Sequence, residues 1–449
     1  MLKKDSSIRK ALGAVSLLWF GSLAGAGLAF FTQVILAREL TPEGYGVFAA
    51  ALATVTLLAP LAGFGVQGVW LKVFGSEGWQ GTRWLSPSFR FVTLSTAATL
   101  SLFFVWAAWG PHDESTTQLL FWLLPVILGY LFMELVSSKL LLEERFRSLA
   151  LWQLLPHFTR LVLILLIVFA GVSNPNVITV AVVYALVAIV VLVLGCVHLK
   201  AMAGGRFALK GHSRMAEPEK KNLDPIASVR VADVLTQTWP FGLATIFHLV
   251  YFQSDIILLK YIAGDEAAGV YNVAFTVMAA VYLLPSVIYQ KFLLPKMHRW
   301  ANHDRKRFYQ VYRQGNVAML VLGVLAMLAI WGAAFWAIPL LFGAEYRQSF
   351  VIVNILAVCA PVVFVASSVG ATLVTQEHMA RKVKYMGIVA GLNIVLNFAL
   401  IPEFGAVGAA VATVISNLAL LVIYYVAAQY LVFGPDLKCV ARAIDGFER

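Results

Sequence analysis

The sequence predicts an all-α polytopic membrane protein, with about twelve transmembrane helices in two parallel six-helix lobes around a central cleft. Three observations carry that expectation. Of the 449 residues, 60% are hydrophobic and only 13% charged, with a mean hydropathy of +0.82. A soluble domain carries about 25% charged residues, so lipid must solvate most of this surface. Second, the apolar residues fall into runs near the roughly 20 that a helix needs to cross the hydrocarbon core. Third, the positive charges alternate from one connecting loop to the next.

The first run, Ala11 to Ala37, is too long for the apolar region of a signal peptide and reads as the first span. The others follow at about 46–71, 91–110, 119–138, 149–170, 177–198, 234–259, 268–290, 315–342, 350–375, 385–401 and 406–432. With the amino terminus placed in the cytoplasm, 30 of the 34 Lys and Arg residues fall in the termini and loops on that side. The opposite side holds only Arg38, Lys260 and Arg347, and Arg160 lies within a span. Positive charge gathers on cytoplasmic loops. The alternation therefore orients the chain with both termini cytoplasmic, and accounts for the net charge of +11 without nucleic acid.

A shift of 223 residues brings Leu36 onto Leu259, Glu43 onto Glu266, Gly46 onto Gly269, Val47 onto Val270 and Ala51 onto Ala274. These matches join equivalent hairpins, between spans 1 and 2 and between spans 7 and 8. Six spans per half is an even number, so both halves enter the membrane in the same sense, as a parallel repeat. The expected division is an N-terminal lobe at 1–198, a basic cytoplasmic linker at 199–233, and a C-terminal lobe with tail at 234–449. Pro42 and Gly44 are expected to turn the first hairpin, with Gly46 opening the returning helix. Pro60, Pro125, Pro156, Pro240, Pro285 and Pro361 fall inside spans, where each removes a helical hydrogen bond. Gly21 and Gly25 form a GxxxG that reads as close helix packing.

Cys196, Cys359 and Cys439 show no metal-like spacing and read as free thiols. No metal site and no cofactor is implied. The loops on the less basic side are short and contain no DxD or His/Asp cluster, which argues against a membrane-bound polymerase or glycosyltransferase.

Four segments carry a family resemblance: ILARELTPEGYGVFAAALATV from Ile35, LLEERFRSLALWQ from Leu141, QSDIILLKYIAGDEAAGVYNVA from Gln253, and VTQEHMARKVKYMGIVAGLNIVLNFALIPEFGAVGAAVATVISN from Val374. The last contains the pair Asn393 and Asn397. In this order and spacing they resemble the Wzx-type polysaccharide (O-antigen) flippases of the multidrug/oligosaccharidyl-lipid/polysaccharide exporter superfamily. The resemblance implies a bacterial inner-membrane carrier with a polyisoprenyl-pyrophosphate-linked oligosaccharide as substrate, moved to the outer leaflet by alternating access. Membrane lipids, and a polysaccharide polymerase or other assembly protein, are the implied partners. The alternative on the same fold is a cation-coupled multidrug exporter.

Such a substrate calls for cationic and hydrogen-bonding groups at membrane depth, where each charge costs roughly 2.5–3.5 kcal/mol on insertion scales. Arg160, near the middle of span 5, is the foremost candidate. It either grips pyrophosphate through its two-pronged guanidinium or pairs with Glu134 of span 4. Glu134 and Asp255 are the candidates for coupling or ion pairing, with Asp255 read alternatively as an interfacial partner of Lys260. Gln33, Gln67, His248 and Gln253 are cleft candidates for hydrogen bonding. Arg38 and Lys260, at equivalent hairpin tips, either receive the pyrophosphate or join an ion network with Glu39 and Glu266.

Overall fold

The computed structural model describes residues 2–170, 176–210, 229–286, 304–374 and 379–434, with isolated residues between 287 and 303. Cys439, the carboxyl tail and most of the basic loop from Lys291 lie outside the described residues. The helices in chain order are α1 (Leu2–Glu39), α2 (Pro42–Gly63), α3 (Val66–Glu77), α4 (Leu85–Trp109), α5 (Glu114–Leu142), α6 (Phe146–Phe169) and α7 (Val177–Ala203). After the linker come α8 (Val231–Ala263), α9 (Asp265–Ser286), α10 (Arg305–Phe342), α11 (Ser349–Ala357), α12 (Cys359–Val374) and α13 (Met379–Ala427), closed by a π-helical turn at Ala428–Phe433.

Among the described residues nine helices, or ten with the bent pair at Ala344–Val374, are long and apolar enough to cross a membrane, and they allow twelve passages. Two continuous apolar stretches, of 68 residues at Pro42–Trp109 and 55 at Met379–Phe433, are too long for one passage at 1.5 Å per residue. Each is broken where the backbone leaves the helical region. Phe64 and Gly65 have φ of 39° and 84°, ending α2 ahead of α3. The second span therefore stops at Gly63, short of the expected Leu71. Gly405 (φ 55°) sits three residues after Pro402 and folds α13 into a hairpin. A side chain at a positive φ would be strained, and proline cannot continue the preceding ladder. Span 10 is also in two pieces, α11 and α12, bent by 41° just before Pro361. The solvation is that of a lipid-facing protein: Trp109, Phe169, Trp336 and Tyr430 are highly exposed, while Asp255, Asn393, Asn397 and Asn417 are buried.

The chain forms two compact units, residues 1–32 with 47–250 and residues 33–46 with 251–449. The dividing points fall inside α1, α2 and α8 rather than in the linker, so each unit takes residues from both sequence lobes. In the first unit, small residues set the helix spacing. A Cβ at Gly129 of α5 would meet Ala188 of α7 at 2.9 Å, and one at Gly195 would meet Phe132 at 2.7 Å. Gly21 and Gly25 abut Ala150 and His157 of α6 at 3.1 and 3.4 Å, so the GxxxG does serve close packing.

In the second unit the two equivalent hairpins meet face to face. A Cβ on Gly46 would lie 1.8 Å from the carbonyl oxygen of Asp265, and one on Gly269 would lie 2.0 Å from that of Pro42. Pro42 and Asp265 are themselves separated by 223 residues, so the contact is reciprocal under the repeat. Pro42 does not form the turn that the sequence predicts. It is the first residue of α2, where its missing N–H goes unneeded, and the Thr41 hydroxyl accepts from the Gly44 N–H at 3.2 Å. Gly46 serves the approach of two backbones.

Overpacking of this kind costs typically 1–3 kcal/mol. Gly46→Ala is therefore expected to lower the thermal midpoint of the purified protein by several degrees. Gly391→Ala, whose Cβ meets nothing within 4 Å, should change stability by less than about 0.5 kcal/mol. Equal midpoints for the two variants would refute the contact.

Candidate functional site

Each unit holds one polar centre at membrane depth. In the first, α6 presents His157 and Arg160 one helical turn apart. The Arg160 guanidinium carbon lies 4.1 Å from the ring centre of Tyr184 on α7, inside cation–π range. Its Nε is buried with no hydrogen-bond partner, and so is Nδ1 of His157. Glu134 is half-buried on α5, but no ion pair joins it to Arg160 among the described residues. The expected Arg160–Glu134 pair is therefore not formed: Arg160 turns to the α7 ring instead. A guanidinium held on an aromatic face, with an inward N–H unsatisfied, is suited to a partner that brings its own acceptor.

Gln67 lies on α3, beyond the Phe64–Gly65 break, and its backbone carbonyl accepts from the Ser138 hydroxyl at 3.0 Å. His248 is exposed on α8. Gln237, three turns earlier on the same helix, accepts from Lys72 Nζ at 3.0 Å.

The second centre surrounds Asp255. Its carboxylate accepts from the Tyr271 hydroxyl at 2.6 Å, from Asn397 Nδ2 at 2.6 Å and from the Thr413 hydroxyl. Ser254 donates to Asn393 Oδ1 at 3.0 Å, which also accepts from Asn397 at 3.1 Å. Four spans converge here: α8, α9 and both legs of α13. Asp255 is only 2% exposed, enclosed by these partners rather than turned to Lys260. The helix runs on to Ala263, two turns past Asp255, and sets the carboxylate deeper than a span ending near Leu259 would.

Lys260 pairs with neither Asp255 nor Glu266. Its ammonium bonds the Asp265 carboxylate across the α8–α9 turn. Arg38 joins no network with Glu39 or Glu266 either. Its guanidinium donates to the carbonyls of Leu341, at 2.6 Å, and Leu340, in the last turn of α10. A cation there satisfies orphan carbonyls and complements the negative end of the helix dipole. Gln33 accepts from the Tyr45 hydroxyl at 2.9 Å, bracing the first hairpin, and Gln253 is half-buried on α8, two turns before Lys260.

Chemically, the Asp255 centre offers one carboxylate and an array of hydroxyl and amide groups. Asn397 Oδ1 is a buried acceptor without a donor. The Asp255 carboxylate can exchange a proton or a small cation while its donors keep it ordered. Among the described residues no three His, Cys, Asp or Glu side chains gather as a metal site. Two contributors, Asn393 and Asn397, were visible in the sequence as polar residues four apart in an apolar run. Tyr271 and Thr413 were not, since only the fold brings them to Asp255.

Comparison with solved structures shows the same fold in a lipid II flippase, MurJ, in an inward closed conformation. The TM-score is 0.71 at 14% identity, over 92% of this chain and 87% of that one. An inward-facing multidrug resistance MATE family transporter of the MOP superfamily matches with a TM-score of 0.64 at 13% identity, over 91% and 95% of the two chains. In sequence, the succinoglycan biosynthesis transport protein ExoT of Rhizobium meliloti (strain 1021) is 25% identical over 342 residues, 74% of this chain and 62% of its own length. A probable flippase of Haloferax volcanii, AglR, is 29% identical over 204 residues, 43% of this chain and 42% of its own length. The probable low-salt glycan biosynthesis flippase Agl15 of the same organism is 24% identical over 89% of this chain and 79% of its own. The match thus spans less than two thirds of the first two relatives. The profile of one family, described as polysaccharide biosynthesis protein, covers residues 12–301, and with it the first hairpin, the Arg160 centre and Asp255. By that match, on a fold that the MurJ and MATE structures share, the chain belongs to the polysaccharide biosynthesis protein family.

Proposed function

We propose that this protein is a flippase that carries a polyisoprenyl-pyrophosphate-linked oligosaccharide from the inner to the outer leaflet of the bacterial cytoplasmic membrane, for surface polysaccharide synthesis. The observation that supports it most directly is Arg160, a cation within span 5 with no carboxylate in ion-pair distance among the described residues and one N–H unsatisfied. A site of that polarity favours an anionic head group over a cationic drug. The distribution of Lys and Arg supports cytoplasmic termini. In this reading a polymerase or other assembly protein takes the delivered glycan, and the activity is transport without covalent change.

Asp255 is the coupling group in this reading. A carboxylate buried in the second unit, loaded by a proton or monovalent cation from one side and emptied to the other, would link transport to an ion gradient. The Tyr271, Asn397 and Thr413 donors would hold its geometry in both states. Glu134, half-buried and without an ion pair among the described residues, is the second candidate for that role.

Deletion in the native host is expected to abolish surface glycan and trap lipid-linked oligosaccharide on the cytoplasmic leaflet. Wild type should restore the glycan. Arg160→Ala, at equal membrane abundance, should restore it at least about tenfold less well, the loss of one charge-assisted contact. Full restoration by Arg160→Ala would remove the cationic site from the mechanism. Unchanged glycan with new sensitivity to cationic dyes would replace the flippase reading with drug export.

Asp255→Asn keeps the shape and loses the charge. It should reach the membrane at wild-type level and cut glycan export by about tenfold or more. Unimpaired export would exclude Asp255 from coupling.

A further inference from the structure

The dipeptide Phe-Gly stands at the break between α2 and α3, as Phe64–Gly65, and again within α8, as Phe241–Gly242. The fold sets the two against each other. A Cβ on Gly65 would lie 2.7 Å from the Gly242 nitrogen, 2.7 Å from Phe241 Cβ and 2.9 Å from the Thr238 carbonyl oxygen. A Cβ on Gly68 would meet the Phe241 ring at 2.9 Å, and one on Gly242 would meet the Phe64 ring at 3.0 Å. Each phenylalanine therefore rests on the glycine surface of the opposite segment, and the two segments interlock backbone to backbone. All of these residues belong to the first unit.

Two features set this contact apart from ordinary helix packing. Phe64 has a φ of 39°, a conformation that is strained for a bulky residue and persists only where its surroundings hold it. The break also keeps hydrogen-bond partners of its own. The Ala62 carbonyl, which a continuous helix would direct to Val66, accepts from the hydroxyls of Ser95 at 2.6 Å and Thr96 at 3.2 Å on α4. No hydrogen bond crosses between the two Phe-Gly pairs among the described residues. Lys72 Nζ donates to Gln237 at 3.0 Å, one to two turns nearer the end assigned to the cytoplasm. Inside a membrane every backbone group needs a partner, and α8 can part from the break without taking one away.

Along α2 from Gly46 to Gly65 is about 28 Å at 1.5 Å per residue, close to the roughly 30 Å of the hydrocarbon core. This stretch thus makes one backbone-to-backbone contact near each membrane face, with α9 at Gly46 and with α8 at Gly65. From this geometry we infer that the interlock of Phe64–Gly65 with Phe241–Gly242 is the seal of the substrate path at the end assigned to the cytoplasm, parting to admit the lipid-linked substrate and reclosing behind it. The assignment rests on the flippase reading. Strain at Phe64 opposes closure and the ring-on-glycine contacts favour it, the balance that a two-state element requires.

The test uses the full-length protein carrying Lys72→Cys and Gln237→Cys, with each single substitution as a control for the native thiols. A short bifunctional methanethiosulfonate bridges the two positions while the interlock is closed, and reductant releases the bridge. The purified double variant is expected to crosslink in detergent. Adding Gly65→Ala or Gly242→Ala should slow crosslinking at least about fivefold. Gly75→Ala on α3, whose Cβ meets nothing within 4 Å, should leave the rate unchanged. A cooperative thermal transition in each variant shows that it is folded. No crosslink in the double variant, or equal rates in all three backgrounds, overturns the interlock. In spheroplasts of the deletion strain, bridging the double variant should cut glycan export about tenfold or more, and reductant should restore it. Unimpaired export with the bridge in place overturns the seal and leaves the contact as packing. Crosslinking involves no substrate, so a failure of the flippase reading shows separately, as unrestored surface glycan with the unbridged protein.

Discussion

Two backbones meet with no side chain between them at Gly46 and Gly269, and the rest of the second unit is arranged around that contact. Each glycine lies against the carbonyl at the start of the opposite helix, so even a methyl group would force the two helices apart. The approach draws residues 33–46 into the same unit as the carboxyl-terminal spans. It places Tyr45 against Tyr346 with ring centres 6.0 Å apart, and lets Arg38 reach the end of α10. Interfaces in lipid gain nothing from burying apolar surface, and depend on close van der Waals packing and on internally satisfied polar groups. This hairpin pair supplies the first, and the Asp255 centre, two to three turns along α8, supplies the second.

Much of this was legible in the sequence, for reasons that can be named. The spans are visible because lipid demands about 20 apolar residues per crossing. The repeat is visible because a glycine-on-glycine contact tolerates no substitute at either position. Arg160 stands out as a lone charge in an apolar run. What could not be read was the partner of each charge. Arg160 meets Tyr184, Lys260 meets Asp265 and Arg38 meets the carbonyls of α10, and all three contacts depend on helix rotation and length. Asp255 was misplaced for the same reason, since α8 extends one turn further than its hydropathy indicates.

The two polar centres are of opposite character. In the first unit a guanidinium rests on a ring and keeps an N–H unused. In the second, a carboxylate is held by three donors. A protein that solvates its outer surface with lipid can retain such groups only where its own side chains replace water, and here tyrosine does most of that replacement. Its ring tolerates the apolar neighbours while its hydroxyl serves the charge.

The compact units do not coincide with the two copies of the repeated sequence. The boundary crosses α1, α2 and α8, so the first unit holds 234–250 from the second copy and the second unit holds 33–46 from the first. A chain of six spans, made by stopping at the linker, would lack a helical segment that its own fold uses and would display one that belongs elsewhere. Cutting the chain at the linker would therefore divide both units rather than separate them.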